Sequence, residues 1–240
     1  MEKKPDNLEL NQNIGSVRVL NGQQVKTLVQ AGMLWLKTNQ QIVNALNVFP
    51  VPDGDTGSNM LLTMQAGWNE IINYQDNSVD ILLSQVARGA LMGARGNSGV
   101  ILSQFWRGFS RGLEKQSVMT MEAFAKALDE ARRTAYKGVV RPVEGTILTV
   151  LKDTAEEVGK KLPDCKDFHE LLTVTVNAAN ESVDRTPDLL PVLKQAGVVD
   201  SGGKGLFYIF EGFLRSIENK PLDTNPEVIE IVPITMMTEE

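Results

Sequence analysis

Residues 47–60 read NVFPVPDGDTGSNM, and this stretch decides how the rest of the chain is interpreted. Its two carboxylates, Asp53 and Asp55, stand one residue apart on a turn that two prolines stiffen and two glycines allow to bend. Both carboxylates can therefore converge on one hard cation. The pattern predicts a Mg²⁺ site.

A helix is predicted to start directly after this turn. Thr56, Ser58 and Asn59 would then direct their side chains and free backbone amides toward an anion beside the metal. Metal and phosphate would share one turn. The alternative is an ordinary turn that only caps the helix beginning near Ser58.

The composition excludes several classes of protein. The chain has 240 residues, of which 42% are hydrophobic and 22% charged, enough to bury one large core or two small ones. A net charge of -6 argues against a nucleic-acid binder, which would carry a basic surface. The single cysteine excludes an internal disulfide, and no His/Cys cluster suits zinc. Without an apolar run of roughly 18 residues, we expect no membrane insertion and a cytoplasmic location.

Apolar residues recur at three- and four-residue steps along most of the chain, which is typical of amphipathic helices. No region shows the alternation of a sheet, so the predicted class is all-α. Residues 1–15 are expected to form a disordered tail, and residues 221–240 a linker or tail toward a further C-terminal part. One helix or a helix pair, capped at Asn21, is predicted before the Asp turn. Further helices are predicted at 58–74, 79–91, 120–138, 145–161, 167–185, 188–196 and 203–219.

Three further junctions are rich in glycine. Residues 92–99, MGARGNSG, open an apolar helix, and such loops let backbone amides approach phosphate, with Asn97 and Ser98 adding donors. A plain helix–helix connection is the alternative. The junctions RPVEGT at 141–146 and VVDSGGKG at 198–205 would ordinarily be interpreted as connectors.

Other reactive or aromatic residues are expected to be structural. His169, the only histidine, and Cys165, the only cysteine, are both predicted to lie at the surface. Trp35, Trp68 and Trp106 fall on apolar helical faces and are predicted to belong to the core.

Taken together, four segments resemble the nucleotide-binding (DhaL or DAK2) domain of the dihydroxyacetone kinase superfamily, and most of all the N-terminal domain of bacterial fatty acid kinase A subunits. The segments are 47–60, 92–104, 142–150 and 198–206, and the resemblance spans residues 16–220 in order. It implies an antiparallel barrel of about eight helices, with ATP or ADP bound at one end where the glycine loops meet.

The resemblance also implies roles for individual residues. Asp53 and Asp55 match the catalytic carboxylates that hold two Mg²⁺ ions, and Asn47 stands nearest to a third metal ligand, an aspartate in the dihydroxyacetone branch. An arginine of that branch is not matched here, and Arg185 is its nearest substitute. The residues that match nucleotide contacts are Thr56, Gly57, Ser58, Asn59, Asn97, Ser98 and Gly99 around the phosphates, Gly138, Thr146 and Ile147 around the base and ribose, and Asp200, Ser201 and Gly202 in the segment that closes over the nucleotide.

The implied reaction is transfer of the ATP γ-phosphoryl group to a fatty-acid carboxylate that a separate fatty-acid-binding protein presents, giving acyl phosphate for phospholipid synthesis. An ionised carboxylate needs no general base, which agrees with the scarcity of histidine. The kinase domain is expected to be inactive without that partner, and a homodimer would form through the further C-terminal part.

Two alternatives remain open at this point. One is the nucleotide-binding subunit of a dihydroxyacetone (glycerone) kinase, which works with a separate sugar-binding subunit. The other is a non-catalytic domain that senses nucleotide and shows no turnover.

Overall fold

The structure, a computed structural model, describes residues 16–223, and these form ten α-helices and one two-stranded sheet. The predicted tail at 1–15 and most of the predicted linker at 221–240 lie outside the described residues. The helices are α1 (Gly22–Thr38), α2 (Gln40–Ala45), α3 (Thr56–Ile71), α4 (Val79–Met92), α5 (Gly96–Gly112), α6 (Met121–Lys137), α7 (Ile147–Lys161), α8 (Phe168–Leu189), α9 (Pro191–Ala196) and α10 (Ser201–Ile217), and a 3-10 turn covers Leu162–Asp164.

The all-α prediction is confirmed, and the differences are local. Asn21 caps α1 as expected, through a reciprocal pair of hydrogen bonds with Gln24. The sheet was not predicted because β1 (Val19–Leu20) and β2 (Met119–Thr120) have only two residues each, too few for an alternating pattern.

Helix α8 continues past the predicted end at residue 185, although Pro187 lies inside it. Proline removes a backbone donor and leaves a carbonyl without its helical partner. Here the side chain of Thr186 supplies the missing donor, because its hydroxyl donates to the Val183 carbonyl at 2.6 Å. Helix α9 consequently starts at Pro191 rather than near residue 188.

The eight long helices pack in a closed circuit. Along the circuit α1 contacts α3, then come α4, α5, α6, α7 and α8, and α10 joins α8 back to α1. A continuous apolar core fills the interior, with edge-on aromatic contacts such as that between Phe109 and Phe124. Trp35 and Trp106 belong to this core as predicted, and Trp68 is half-buried against it.

Two predicted surface residues have different outcomes. His169 is half-exposed and lies 3.2 Å from the carboxylate of Glu218. Cys165 is only 7% exposed, so its predicted surface position is wrong. The 3-10 turn before it brings its thiol against α7, where the sulfur donates to the Lys161 carbonyl, and its side chain joins the core.

The described chain ends against the helical body. Arg215 donates to the Pro221 carbonyl at 2.9 Å, and the Thr38 hydroxyl donates to the Leu222 carbonyl at 2.7 Å. Among the helices of residues 16–223, none combines the length and apolar character needed to cross a bilayer.

Candidate functional site

A cavity of about 460 Å³ opens where the N-termini of α3, α5, α7 and α10 meet. Two loops, 47–55 and 138–146, complete its wall. The structure therefore brings the four glycine-rich segments, which are far apart in sequence, to one place. The lining residues are Asn47, Phe49, Pro50, Val51, Asp53, Asp55, Thr56, Asn59, Gly96, Asn97, Ser98, Ile101, Val139, Arg141, Val143, Thr146, Ile147, Leu148, Asp200, Ser201 and Gly202.

The two predicted carboxylates lie at the start of α3. Asp55 is the N-cap residue, yet its carboxylate makes no capping hydrogen bond. A turn that only caps the helix would require such a bond. Gly54 between the two aspartates has φ +67°, a conformation that glycine adopts without strain. Among the described residues there is no group of three or more His, Cys, Asp or Glu side chains suited to a metal. Two carboxylates nevertheless suit Mg²⁺, which proteins usually bind through one or two carboxylates.

Asn47 braces the Asp turn. Its side-chain amide donates to the Val51 carbonyl at 2.6 Å, and its side-chain oxygen accepts a hydrogen bond from the Thr56 hydroxyl. The Ser201 hydroxyl in turn donates to the Thr56 hydroxyl at 3.2 Å. This chain of bonds joins the 47–55 loop to the starts of α3 and α10.

Only part of the predicted phosphate segment at the start of α3 faces the cavity. Thr56 and Asn59 line it, whereas Ser58 turns toward α2 and accepts hydrogen bonds from Gln40 and Asn44 at 2.8 and 3.0 Å. The Ser58 backbone amide is also bonded to Asn44, at 3.1 Å. Gly57 packs tightly on α2 and does not line the cavity.

Helix α5 presents an uncapped N-terminus to the same cavity. Its N-cap residue, Arg95, makes no side-chain capping bond, and Asn97 and Ser98, the predicted phosphate contacts, line the cavity. The Ser98 hydroxyl lies 3.4 Å from the Thr56 carbonyl, which joins α5 to α3. Gly99 instead packs against Thr63 behind the wall.

A buried carboxylate occupies the N-termini of α7 and α10. Asp200 is 5% exposed, caps α10 by accepting from the Gly203 amide at 2.6 Å, and also faces the Ile147 amide at the start of α7. Burial raises the pKa of Asp200 to about 6 although both amides favour its ionised form. Because a carboxylate already lies at the starts of α7 and α10, a further anion is disfavoured there.

The remaining predicted residues and the missed ones complete the lining of the cavity. Thr146, Ile147, Ser201 and Gly202 line it, whereas Gly138 packs against Gln104 outside it. The sequence did not reveal most of the apolar lining, because aliphatic side chains also fill the core between the helices. The missed lining residues are Phe49, Pro50, Val51, Gly96, Ile101, Val139, Arg141, Val143 and Leu148.

Arg141 is the one cationic side chain among the lining residues. Its place in the RPVEGT motif was the available signal for it. Arg185 is directed elsewhere, since its guanidinium pairs with Asp153 at 3.0 Å outside the cavity.

A comparison with known families decides the membership of the chain. The family described as the DAK2 domain matches residues 50–215. The chain belongs to the DAK2 domain family. That match contains all four helix starts that surround the cavity.

The DAK2 domain has curated relatives in Staphylococcus aureus. An uncharacterized protein of strain USA300 is 44% identical over 211 residues, which is 88% of this chain and 38% of the relative. Another, of the bovine strain RF122 / ET3-1, is 46% identical over 204 residues, covering 85% of this chain and 37% of the relative. The chain thus spans less than two fifths of the length of these relatives.

Solved structures share the fold of the DAK2 domain. The dihydroxyacetone kinase from C. freundii in complex with AMP-PNP and Mg²⁺ matches 90% of this chain and 38% of its own, with a TM-score of 0.62 and 19% identity. The native form of the same enzyme gives a TM-score of 0.57 with 21% identity.

Proposed function

We propose that this DAK2 domain binds ATP with Mg²⁺ at the cavity and serves as the nucleotide-binding part of a kinase. The observation that carries the proposal is that α3 and α5 both start at the cavity without a capping bond from their own N-cap side chains, beside two carboxylates on one turn. Helix N-termini attract phosphate, and carboxylates attract the cation that accompanies it. The nucleotide bound to the C. freundii enzyme of the same fold supports the choice of ligand.

The distribution of charge orients the nucleotide. Its phosphates belong at α3 and α5, with Asn59, Asn97 and Ser98 as side-chain donors, because Asp200 repels an anion from the starts of α7 and α10. The base then lies against the apolar wall, which includes Ile101, Val139 and Leu148. Gly57, Ser58 and Gly99 support this arrangement from behind the cavity wall.

Asp53 and Asp55 are proposed to hold Mg²⁺, with a second ion as the family resemblance implies. Asn47 is proposed to keep the turn in shape, since both ends of its amide are already engaged within the protein. Bound Mg²⁺ would neutralise the charge that develops on the phosphoryl group during transfer. The chain's own contribution is to orient the phosphates with backbone amides and with Asn97 and Ser98.

The proposed acceptor is a fatty-acid carboxylate carried by a separate binding protein, which would give acyl phosphate for phospholipid synthesis in the cytoplasm. The resemblance of the four motifs to fatty acid kinase A subunits supports it. Dihydroxyacetone is the second candidate acceptor, which the fold shared with the C. freundii kinase favours. A homodimer would form outside the described residues.

Calorimetric titration with ATP, with and without Mg²⁺, tests the nucleotide site. Wild type should bind Mg²⁺–ATP, and Asp53→Asn should abolish the Mg²⁺ dependence, because the remaining carboxylate cannot hold the ion alone. Asp164→Asn is the matched control, since Asp164 is exposed in the turn after the opposite end of α7. Equal binding in EDTA, or unchanged binding in Asp53→Asn, would refute the metal assignment.

A further inference from the structure

Glu144 belongs to the motif that leads into the cavity, yet its side chain does not line the cavity. Its carboxylate is a junction for three donors on two helices. One oxygen accepts from the Tyr136 phenol on α6 at 3.0 Å, and the other accepts from the Thr149 hydroxyl at 2.7 Å and the Lys152 ammonium at 2.8 Å on α7. A carboxylate with three donors is well satisfied.

The backbone next to Glu144 is held by the same group of residues. The Gly145 amide donates to the Thr149 hydroxyl oxygen at 2.8 Å, so Thr149 joins both the side chain and the backbone of the loop to α7. Gly145 has φ +80° and lies so close to Leu190 that a Cβ would be 2.8 Å from the Leu190 Cβ. Thr149 is buried, so its bond to the Gly145 amide is shielded from competing water, whereas the Glu144 carboxylate is half-exposed.

The 138–146 loop has few other contacts: Val139 packs against the core, and the Thr146 hydroxyl donates to the Val143 carbonyl at 2.8 Å. Val140 is 98% exposed and Arg141 is exposed, while Val139, Arg141, Val143 and Thr146 supply one wall of the cavity. Loops with few buried contacts move readily relative to the helices that they join. The junction at Glu144 is therefore one of the few contacts that fasten this wall to α6 and α7.

The charges of the junction agree with this role. Partial burial opposes ionisation of Glu144, but hydrogen bonds from Lys152, Thr149 and Tyr136 outweigh it and lower the pKa of the carboxyl. Burial and the neighbouring Glu144 raise the pKa of Tyr136, so the phenol keeps its proton. Donors and acceptor stay matched at neutral pH.

We infer that Glu144 is a positioning residue for the nucleotide, which acts by fastening the 138–146 loop to α6 and α7 so that the loop keeps its place as one wall of the cavity. The inference rests on the proposed nucleotide-binding function. It assigns the role to a carboxylate that does not line the cavity. An untethered loop would have to be ordered at the moment of binding, which weakens affinity.

The test measures the affinity for Mg²⁺–ATP together with hydrogen exchange of residues 138–146. Glu144→Gln keeps the size of the side chain but cannot accept from all three donors. We expect its Kd to rise about tenfold, the equivalent of one lost hydrogen bond, and exchange of the free loop to accelerate. Tyr136→Phe removes one donor and should give a smaller rise, and it remains informative if Glu144→Gln folds poorly.

The matched control is Asp129→Asn. Asp129 also accepts from two partners, Arg132 and Arg133, and it lies on α6 away from the cavity. Its variant should keep the wild-type Kd and loop exchange. If wild type binds Mg²⁺–ATP, two results would overturn the inference. One is an unchanged Kd in both Glu144→Gln and Tyr136→Phe, and the other is a rise in Kd in Asp129→Asn as large as that in Glu144→Gln. A wild type that binds no nucleotide would overturn the proposed function itself and this inference with it.

Discussion

Ser58 and Ser98 occupy comparable places in sequence, each in the first turn of a helix that begins at the cavity, but their side chains face different surroundings. Ser58 is bonded to Gln40 and Asn44 on α2, and Ser98 lines the cavity. Motif matching gave both a phosphate contact, because it assigns a role to a position and not to a direction. Side-chain direction depends on how α2 packs on α3, which the local sequence does not encode.

The two serines should therefore respond differently to removal of the hydroxyl. Ser98→Ala is expected to weaken Mg²⁺–ATP binding by about 0.5–1.5 kcal/mol, with little change in melting temperature. Ser58→Ala should lower the unfolding free energy by about 1 kcal/mol instead, since two amide donors lose their acceptor. Titration calorimetry and thermal melting of both variants decide the matter. The reverse pattern would mean that Ser98 is structural.

Arg141 should contribute to nucleotide affinity and Arg185 should not. Arg141→Ala removes the one cation of the lining residues, and a charge-assisted hydrogen bond to phosphate is worth about 1.5–3 kcal/mol. Arg185→Ala breaks only the exposed pair with Asp153. We expect weaker binding of ATP in the Arg141→Ala variant alone. Its affinity should also depend less on salt concentration than that of wild type. Equal affinities in the two variants would remove Arg141 from the site.

The buried carboxylate of Asp200 should make stability depend on pH. Its pKa rises from 3.8 to about 6 on folding, so between these values the unfolded chain ionises Asp200 while the folded chain keeps it protonated. The free energy of unfolding therefore falls as the pH rises from 3.8 to 6, by on the order of 3 kcal/mol. Urea unfolding of wild type and Asp200→Asn at pH 4, 5, 6 and 7 should show wild type falling relative to the variant. A difference independent of pH would contradict the raised pKa.

At the scale of the element, helix positions were predictable because amphipathic periodicity is a local property. Predicted and observed bounds differ by no more than three residues for most helices, as for α4, predicted at 79–91 and found at Val79–Met92. The larger error at α8 has a specific cause. Pro187 normally marks a helix end, and its compensation by the Thr186 hydroxyl is a side-chain detail that periodicity does not contain.

Two helical glycines should respond in opposite ways to alanine. Gly96 starts α5 with φ +58°, and a Cβ there would lie 2.5 Å from the Asn59 amide nitrogen, so Gly96→Ala should cost about 1–2 kcal/mol of stability and displace a cavity residue. Gly159 on α7 has open space around it, so Gly159→Ala should add about 0.5–1 kcal/mol. Chemical unfolding measures both. Weaker nucleotide binding is expected for Gly96→Ala only, and its absence would show that the α5 start tolerates rearrangement.

At the scale of the molecule, most of the polar lining of the cavity was predictable, with Arg141 as the exception, and most of the apolar lining was not. Metal and phosphate need particular residue types, so Asp53, Asp55, Asn97 and Ser98 stand out in the sequence. Any aliphatic side chain suits a base, so Ile101 and Val139 look like core residues until the structure places them at the cavity. The convergence of four helix starts is a property of the packing of the long helices.

The molecule as a whole is predicted to bind ATP but to transfer phosphate slowly until its acceptor arrives on another protein. The loops around the cavity are proposed to hold a nucleotide and its metal, and the Staphylococcus aureus relatives are more than twice as long as this chain. Catalysis by positioning requires the acceptor oxygen in line with the γ-phosphorus, so a missing partner removes most of the rate even with nucleotide bound.

Adding a binding protein loaded with fatty acid, together with a full-length relative's remaining domains, should start ATP- and Mg²⁺-dependent acyl phosphate formation, measured by hydroxamate trapping. Free dihydroxyacetone should not replace it. Turnover of free fatty acid by the 240-residue chain alone at about 1–100 per second would refute the separate partner, and turnover only with dihydroxyacetone and a sugar-binding subunit would favour the second acceptor.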